Sequence, residues 1–495
     1  MSSSCADVCL LVEGAYPYVS GGVSSWLHDL IKAQPEIRFH IVALVPDRSW
    51  QTLSYPLPPN VIGLSHVYLQ DMPVGKKADR KTCKMLKKLG APLLALQSAG
   101  GLQELRQILD ILSVMPKTLG RRTLLNSPAA WQTLCDVYEQ ILPDSSFLNY
   151  FWTWRALFGG LFSCLIAPLP EARVYHAIST GYAGLVAARA KLQTGRPVML
   201  TEHGIYNNER RIEVMMAEWL DEGEDASAEF RSADIKKELR SIWMGVFSSY
   251  AQATYAAADK IITLYPGNQP LQLRDGADLK KMLVVPNGID LERFRLSTGV
   301  AREETLPTIG LIGRVVPIKD IKTFIRACAK IINHGLKFQA LILGPTDEDK
   351  GYFEECRQLV AHLSLSNVVT FVGRVKLEEY LPRLDLVILT SISEAQPLVI
   401  LEAGAAGIPV IATDVGACRD MLLGAPDEHP PLGAGGVVTS LISPESTAHA
   451  IISLLGNDML RQQYGEVLLR RVERYYDKRR IDGIYRKMYT EMANE

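Results

Sequence analysis

No GxGxxG follows any apolar run of this 495-residue chain, and GxxxxGK[ST] occurs nowhere in it. The glycine loops that cradle phosphates in dinucleotide sites and P-loops are therefore missing. Cysteine is scattered: the eight, at 5, 9, 83, 135, 164, 328, 356 and 418, form no CxxC pair and neighbour no histidine cluster. That argues against a zinc site and against a dense disulfide scaffold, and reduced cytosolic thiols are expected. Charge of one sign is lacking as well. A formal net charge of -1 supplies no concentrated basic footprint for a phosphate backbone, so no nucleic-acid partner is expected. The most membrane-like run, ALFGGLFSCLIAPLP after Arg155, holds two glycines and two prolines and stops at Glu171. It falls short of the roughly 18 to 20 apolar residues that span a bilayer. MSSSCADVCLLVEG lacks the basic start of a signal peptide and soon reaches Glu13. A cytoplasmic protein without membrane spans is expected.

What is present is the composition of a folded globular protein, 47% hydrophobic and 22% charged. The length exceeds one ordinary core and implies two large domains or three smaller ones. The basic segment KKADRKTCKMLKK, 76 to 88, reads as a solvated helix face ahead of an anionic membrane or phosphate contact.

Short β-branched runs alternate with longer amphipathic stretches, the pattern of parallel sheets covered by helices. The first half offers VCLLVEG, FHIVALV, VIGLSHVYL, RVYHAIS, PVMLTEHG, KIITLYP and MLVVPNG. The second offers TIGLIGRV, FQALILGP, VVTFVG, LDLVILTS, IPVIATDVG and GGVVTS. Two doubly wound sheets follow, with a hinge placed at PNGIDLERFRLSTGV, 286 to 300, and an inserted helical subdomain over about 70 to 170, where strand signals are absent. Open parallel sheets bind ligands beyond the carboxyl ends of their strands, so two facing sheets predict one interdomain cleft.

Single residues at strand ends then become candidates. Gly21 and Gly22 start the helix VSSWLHDLI, either as a plain turn or as an approach for an anion to backbone N–H groups. His203 ends TEHG, either structural or bonding a substrate hydroxyl or phosphate. Arg314 and Lys319, in GRVVPIK, lie just past a strand end, where a planar fork and a point charge suit a pyrophosphate held without Mg²⁺. In SEAQPLVILEAG, Glu394 falls on a loop and Glu402 on the helix opened by Pro397. The two carboxylates suit opposite ends of an extended ligand, a ribose diol and hexose hydroxyls; as structural groups they are a helix N-terminal charge and a helix-face acid.

Glu394 and Glu402 match the E-x7-E motif of the retaining GT-B glycosyltransferases of family GT4, and VVPNGID, GRVVPIKD, ILGP, FVGRV and IPVIATDVG fall in that family's order. LVEGAYPYVSGGVSSWLHDLI with SISEAQPLVILEA resembles, more narrowly, the cytoplasmic glycosyltransferases of Pel exopolysaccharide synthesis, the PelF family, over almost the whole chain. The resemblance implies an N-terminal Rossmann-like acceptor domain over 1–290, a nucleotide-sugar domain over 291–475, and a final helix, 476–495, crossing back with Tyr475, Tyr476 and Tyr485. It implies that Arg314 and Lys319 bind the donor pyrophosphate, Glu402 the ribose, Glu394 the sugar hydroxyls and His203 the hexose. Gly21 and Gly22 would shape the phosphate and acceptor side, and Gly373, Arg374 and Val375 would face the base, commonly uracil. Ala395 and Pro397 stand where the family has glycines, which shifts phosphate contact to the amides of Leu398 and Val399. The activity implied is metal-independent, retaining transfer of a hexose from a UDP-sugar, UDP-glucose first, to a growing biofilm exopolysaccharide, with inner-membrane secretion subunits as partners. A UDP-sugar 2-epimerase and a catalytically silent scaffold are the alternatives.

Overall fold

The computed structural model describes residues 5–19, 21–98, 100–116, 118–142, 146–208, 229–295 and 306–495, without the side chains of 229–238. Residues 1–4 of the N-terminal segment and 296–300 of the expected hinge lie outside that set. The thirteen apolar runs each form one strand. In the first half these are β1 (Ala6–Glu13), β2 (Phe39–Val45), β3 (Val61–Tyr68), β4 (Ala172–Ala177), β5 (Val198–Glu202), β6 (Lys260–Thr263) and β7 (Met282–Val284). In the second they are β8 (Thr308–Ile312), β9 (Gln339–Leu343), β10 (Val369–Gly373), β11 (Leu386–Leu389), β12 (Val410–Thr413) and β13 (Gly436–Thr439).

They pair in parallel into a seven-stranded sheet, β3-β2-β1-β4-β5-β6-β7, and a six-stranded sheet, β10-β9-β8-β11-β12-β13. Parallel strands need crossover helices, which cover both faces; this is why β1, β5 and β8 are near-continuous apolar runs and almost wholly buried. β3, at a sheet edge, is mostly half-exposed. In each sheet the strand order reverses once, between β1 and β4 and between β8 and β11.

The chain divides into two compact units, residues 1–284 with 485–495, and residues 285–484. Each has its own apolar core. Of the three tyrosines named above, Tyr485 groups with the first unit, while Tyr475 and Tyr476 belong to the second. Tyr475 and Tyr476 end the preceding helix, Asp458–Tyr475, whereas Tyr485 and Tyr489 share one face of the helix Lys478–Ala493. Tyr489 Oη meets His176 Nδ1 at 2.7 Å, and His176 Nε2 meets Thr201 Oγ1 at 2.9 Å. Burial lowers the His176 pKa to about 3, so the ring is neutral and fully hydrogen-bonded.

Between β3 and β4 the chain forms six α-helices among the described residues, from Arg80–Leu86 to Phe147–Ile166. The basic segment runs through the first of these, with Lys81, Lys84, Lys87 and Lys88 exposed and Thr82 and Leu86 turned inward. The membrane-like run lies in Phe147–Ile166 except for its last four residues, and Leu157, Phe158, Leu161, Phe162 and Leu165 are buried in the first core. Among the described residues no helix is long and apolar enough to cross a membrane. All eight cysteines are free.

In the second unit the helix Asp458–Tyr475 is locked by Arg471, which is 1% exposed. Its Nε and Nη2 donate to Glu428 Oε2 and Oε1 at 2.7 and 2.9 Å, and its Nη1 to the Leu422 carbonyl at 2.9 Å. These bonds hold the Glu428 carboxyl below its usual pKa. Arg471→Met strands that carboxylate in a dry site, and a loss of about 3–5 kcal/mol of stability is expected in denaturant unfolding.

Candidate functional site

The reversal between β8 and β11 leaves two loops side by side at the carboxyl ends of adjacent strands. Such crevices are where open α/β sheets bind ligands. The loop after β8 tightens into a short turn, Pro317–Lys319, followed by Asp320 at φ 44, a left-handed conformation that Asp tolerates. Asp320 then caps the next helix, accepting from the Thr323 amide at 3.2 Å. Thr390, just past β11, donates its hydroxyl to the carbonyls of both Lys319 and Asp320 at 3.0 Å, and the Ile392 amide donates to Ile318 at 2.9 Å. The two loops are thereby stitched together. The consequence is an ion pair between Lys319 Nζ and Glu394 Oε1, with side chains only 18% and 13% exposed.

Glu394 is braced from a second direction. Gly416 has φ +52, and a Cβ there would lie 2.2 Å from the Glu394 carbonyl and 2.4 Å from that of Ala395. Only glycine fits this approach, which lets the Ala417 amide donate to Ala395 at 2.8 Å. Next along, buried Gln396 accepts from the Asn287 amide at 2.6 Å, so the PNG turn at 286–288 supports the same loop. Pro397 is the N-cap, one position before the expected first turn, and the helix is Leu398–Ala405. The amides of Leu398 and Val399 therefore head that helix, where no intrahelical carbonyl lies four residues back.

Glu402 sits within the same helix. Burial pushes its carboxyl up to about 7, against the pull of Arg293 and with a further push from Glu378. Arg293 and Glu378 form an ion pair of their own. Both escaped sequence reasoning, since they lie 85 positions apart and no spacing rule joins them. Arg314 stands apart from the Lys319–Glu394 pair: it is 53% exposed and pairs with Glu348. Gly373 ends β10 at φ +83 and accepts from the Gly344 amide at 2.9 Å; Arg374 beside it is exposed and Val375 half-buried.

In the first unit, Gly21 is the N-cap of the helix Gly22–Lys32, and both glycines are exposed. Gly21 has φ 176, extended backbone open to any residue, so its glycine leaves space and relieves no strain. That helix also carries Trp26, whose ring meets His203 edge-on at 4.3 Å and Tyr485 at 5.6 Å. Trp26 was not singled out by the sequence, because a tryptophan at helical spacing reads as core. His203 follows β5, and its Nε2 is buried with no hydrogen-bond partner among the described residues. Burial lowers its pKa to about 4, leaving a neutral ring with one unsatisfied nitrogen.

Residues 6–280, more than half of the chain, match the family described as Domain of unknown function (DUF3492). The chain belongs to that family. Beyond the DUF3492 segment, residues 306–457 match Glycosyl transferases group 1, a domain that holds Arg314, Lys319, Glu394 and Glu402. Among curated proteins, the D-inositol 3-phosphate glycosyltransferase of Nocardia farcinica is 32% identical over 226 residues, 42% of this chain and 47% of its own. That of Kineococcus radiotolerans is 28% identical over 245 residues, 45% of this chain and 55% of its own. The chain thus spans about half the length of the curated relatives it matches. Among solved structures, sucrose-phosphate synthase from Thermosynechococcus elongatus superposes with a TM-score of 0.60 at 16% identity, covering 98% of each chain. HepE of Anabaena, in complex with UDP, gives 0.60 at 16% identity, covering 98% of this chain and 99% of its own. The DUF3492 chain accordingly has the two-sheet fold of GT-B glycosyltransferases.

Gly416→Ala forces either the backbone or the Glu394 loop to move and is expected to cost about 1–3 kcal/mol in denaturant unfolding. Glu402 makes a second test. Between its ordinary pKa of 4.5 and about 7, the folded chain holds a proton that the unfolded chain has released. This group's contribution to stability therefore falls as pH rises through that window. Glu402→Gln should remove that part of the decline, so that its unfolding midpoint, relative to the parent chain, is higher at alkaline than at acid pH.

Proposed function

We propose that the chain is a retaining, metal-independent glycosyltransferase that moves a hexose from a UDP-sugar to a hydroxyl of a growing polysaccharide. The observation that carries the reading is the Lys319–Glu394 pair at the strand-order reversal of a group 1 glycosyltransferase domain. The structures of HepE with UDP and with UDP-glucose support a UDP-linked donor, and UDP-glucose is the first choice. The N-terminal motif likeness to Pel exopolysaccharide glycosyltransferases favours a polysaccharide acceptor made in the cytoplasm, with membrane-bound secretion subunits as the recipients.

In this reading Lys319 exchanges Glu394 for the donor pyrophosphate. The carboxylate holds the ammonium in place while no donor is bound, then turns to the sugar hydroxyls. Arg314 leaves Glu348 to share the phosphate charge, and the amides of Leu398 and Val399 supply further donors. Glu402 accepts from the ribose, and residues 373–375 face the base. His203, neutral and with a vacant hydrogen-bonding position, meets a hexose hydroxyl, and Gly21 and Gly22 leave room on the acceptor side. The acceptor oxygen bonds to the anomeric carbon on the face that the phosphate leaves, the carbon–phosphate oxygen bond breaks, and the acceptor proton passes to that phosphate oxygen. Cations placed where negative charge develops supply the main stabilisation.

Lys319→Ala is expected to lower turnover by about 10²–10³-fold without unfolding the chain. Dialysis against a chelator should leave turnover unchanged. Incubation with a panel of UDP-sugars, reading UDP release and sugar transfer, separates the alternatives: an acceptor-independent epimer would identify a 2-epimerase, and neither UDP release nor any product a silent scaffold.

A further inference from the structure

We propose that the first unit holds the distal sugars of a neutral oligosaccharide acceptor in a cavity between the carboxyl end of β3 and the helices that follow it. The inference rests on the glycosyltransferase reading above and adds a site to it. The cavity measures about 600 Å³, within the roughly 300–1,000 Å³ of small-molecule sites. Arg48, Tyr68, Asp71, Lys76, Leu119 and Ser163 are among its lining residues.

This lining suits a pyranose, which has an apolar C–H face and a rim of hydroxyls. Leu119 offers apolar surface for the face, and Tyr68, stacked on His66 and covered by Arg48, holds that guanidinium at the lining. Arg48 Nε donates to Asp71 Oδ2 at 2.6 Å, which uses one of several guanidinium donors and one carboxylate lone pair. The remainder can donate to and accept from neighbouring hydroxyls. Arg48 and Asp71 offset each other, which leaves the exposed Lys76 as the residual charge among the described lining residues, too little for a polyanion, so a neutral ligand is favoured. Ser163 is 4% exposed, and its hydroxyl has no hydrogen-bond partner among the described residues. A buried hydroxyl left so is costly unless a ligand or water completes it.

The mouth is preformed. Gly75, at φ +66, faces Gly120 so closely that a Cβ on Gly120 would stand 2.2 Å from the Pro73 carbonyl. Backbone bonds zip the two segments: Arg121 to Pro73 at 2.9 Å, Arg122 to Val74 at 3.0 Å and Lys76 to Thr118 at 3.0 Å. A rim fixed in advance lowers the ordering cost of binding.

A row of rings also leads to the cavity from the loop after β1, where the strand order reverses. Tyr18, three residues before Gly21, hydrogen-bonds His66 Nε2; the His66 ring stacks on Tyr68 at 5.7 Å and 3°, and the Arg48 guanidinium lies 4.7 Å over Tyr68. From β1 to β3 is two strand spacings, about 10 Å. A polymer whose end is extended at the reversal needs somewhere for its earlier residues, and this row supplies the path.

The test uses the full chain with UDP-glucose and a ladder of neutral oligosaccharides of increasing length. In the parent chain KM for the acceptor should fall as length grows. Tyr68→Ala and Arg48→Ala should flatten that trend, with binding of the longest acceptor about tenfold weaker by calorimetry and UDP affinity unchanged. Arg48 has a side chain 64% exposed, so its truncation leaves the core intact if Tyr68→Ala does not fold. Retained length dependence in the variants, no binding of any ladder member by the parent chain, or equal occupation by inorganic phosphate would each overturn the proposal. Loss of UDP binding in the parent chain would instead sink the glycosyltransferase reading itself.

Discussion

The site in the second unit depends on one constraint: two loops leaving neighbouring parallel strands must be held in register so that a lysine and a glutamate, 75 positions apart, form an ion pair largely shielded from solvent. A surface pair of this kind contributes little, because solvent screens it and both side chains are free to wander. Here the Thr390 hydroxyl, the Ile392 amide and the Gly416 approach fix the backbone beneath both residues. The charges then face each other without having to order their own supports. A site arranged in advance spends less binding energy on organisation and keeps more for the transition state.

The same economy of support recurs around buried polar groups. His176 is neutral and doubly bonded, Arg471 and Glu428 complete each other, and Glu202 accepts from Tyr255 and Gln272 at 2.7 and 2.8 Å. Two unfilled positions lie at candidate sites. His203 Nε2 and Ser163 Oγ are buried without partners among the described residues. One lies at a strand end beside Trp26, the other in the wall of a cavity. Fold and function meet where the packing leaves hydrogen bonds for something else to make.

Thirteen strands and their division into two sheets were legible in the sequence because parallel strands buried on both faces must be apolar along their length, and such runs stand out between amphipathic helices. The loop position of Glu394 and the helical position of Glu402 followed from the turn at Pro397, to within one residue of the helix start. The pairings did not follow. Arg314 and Lys319 are five positions apart and carry the same charge, yet one turns to Glu348 and the other to Glu394. Arg293, Glu378 and Trp26 lacked any local signature, since their partners lie on other elements.

The sequence by itself determined the α/β class, the two parallel sheets, the helical stretch before β4 and the strand ends on which chemistry sits. Periodicity and turn residues are local properties, so a local reading recovers them. Only the tertiary structure decided which carboxylate answers which cation, that Glu402 is held near neutrality by burial, and that a walled cavity opens beside Tyr68. Those outcomes depend on distances between chain segments and on the water excluded when they meet, and neither quantity exists until the chain has folded.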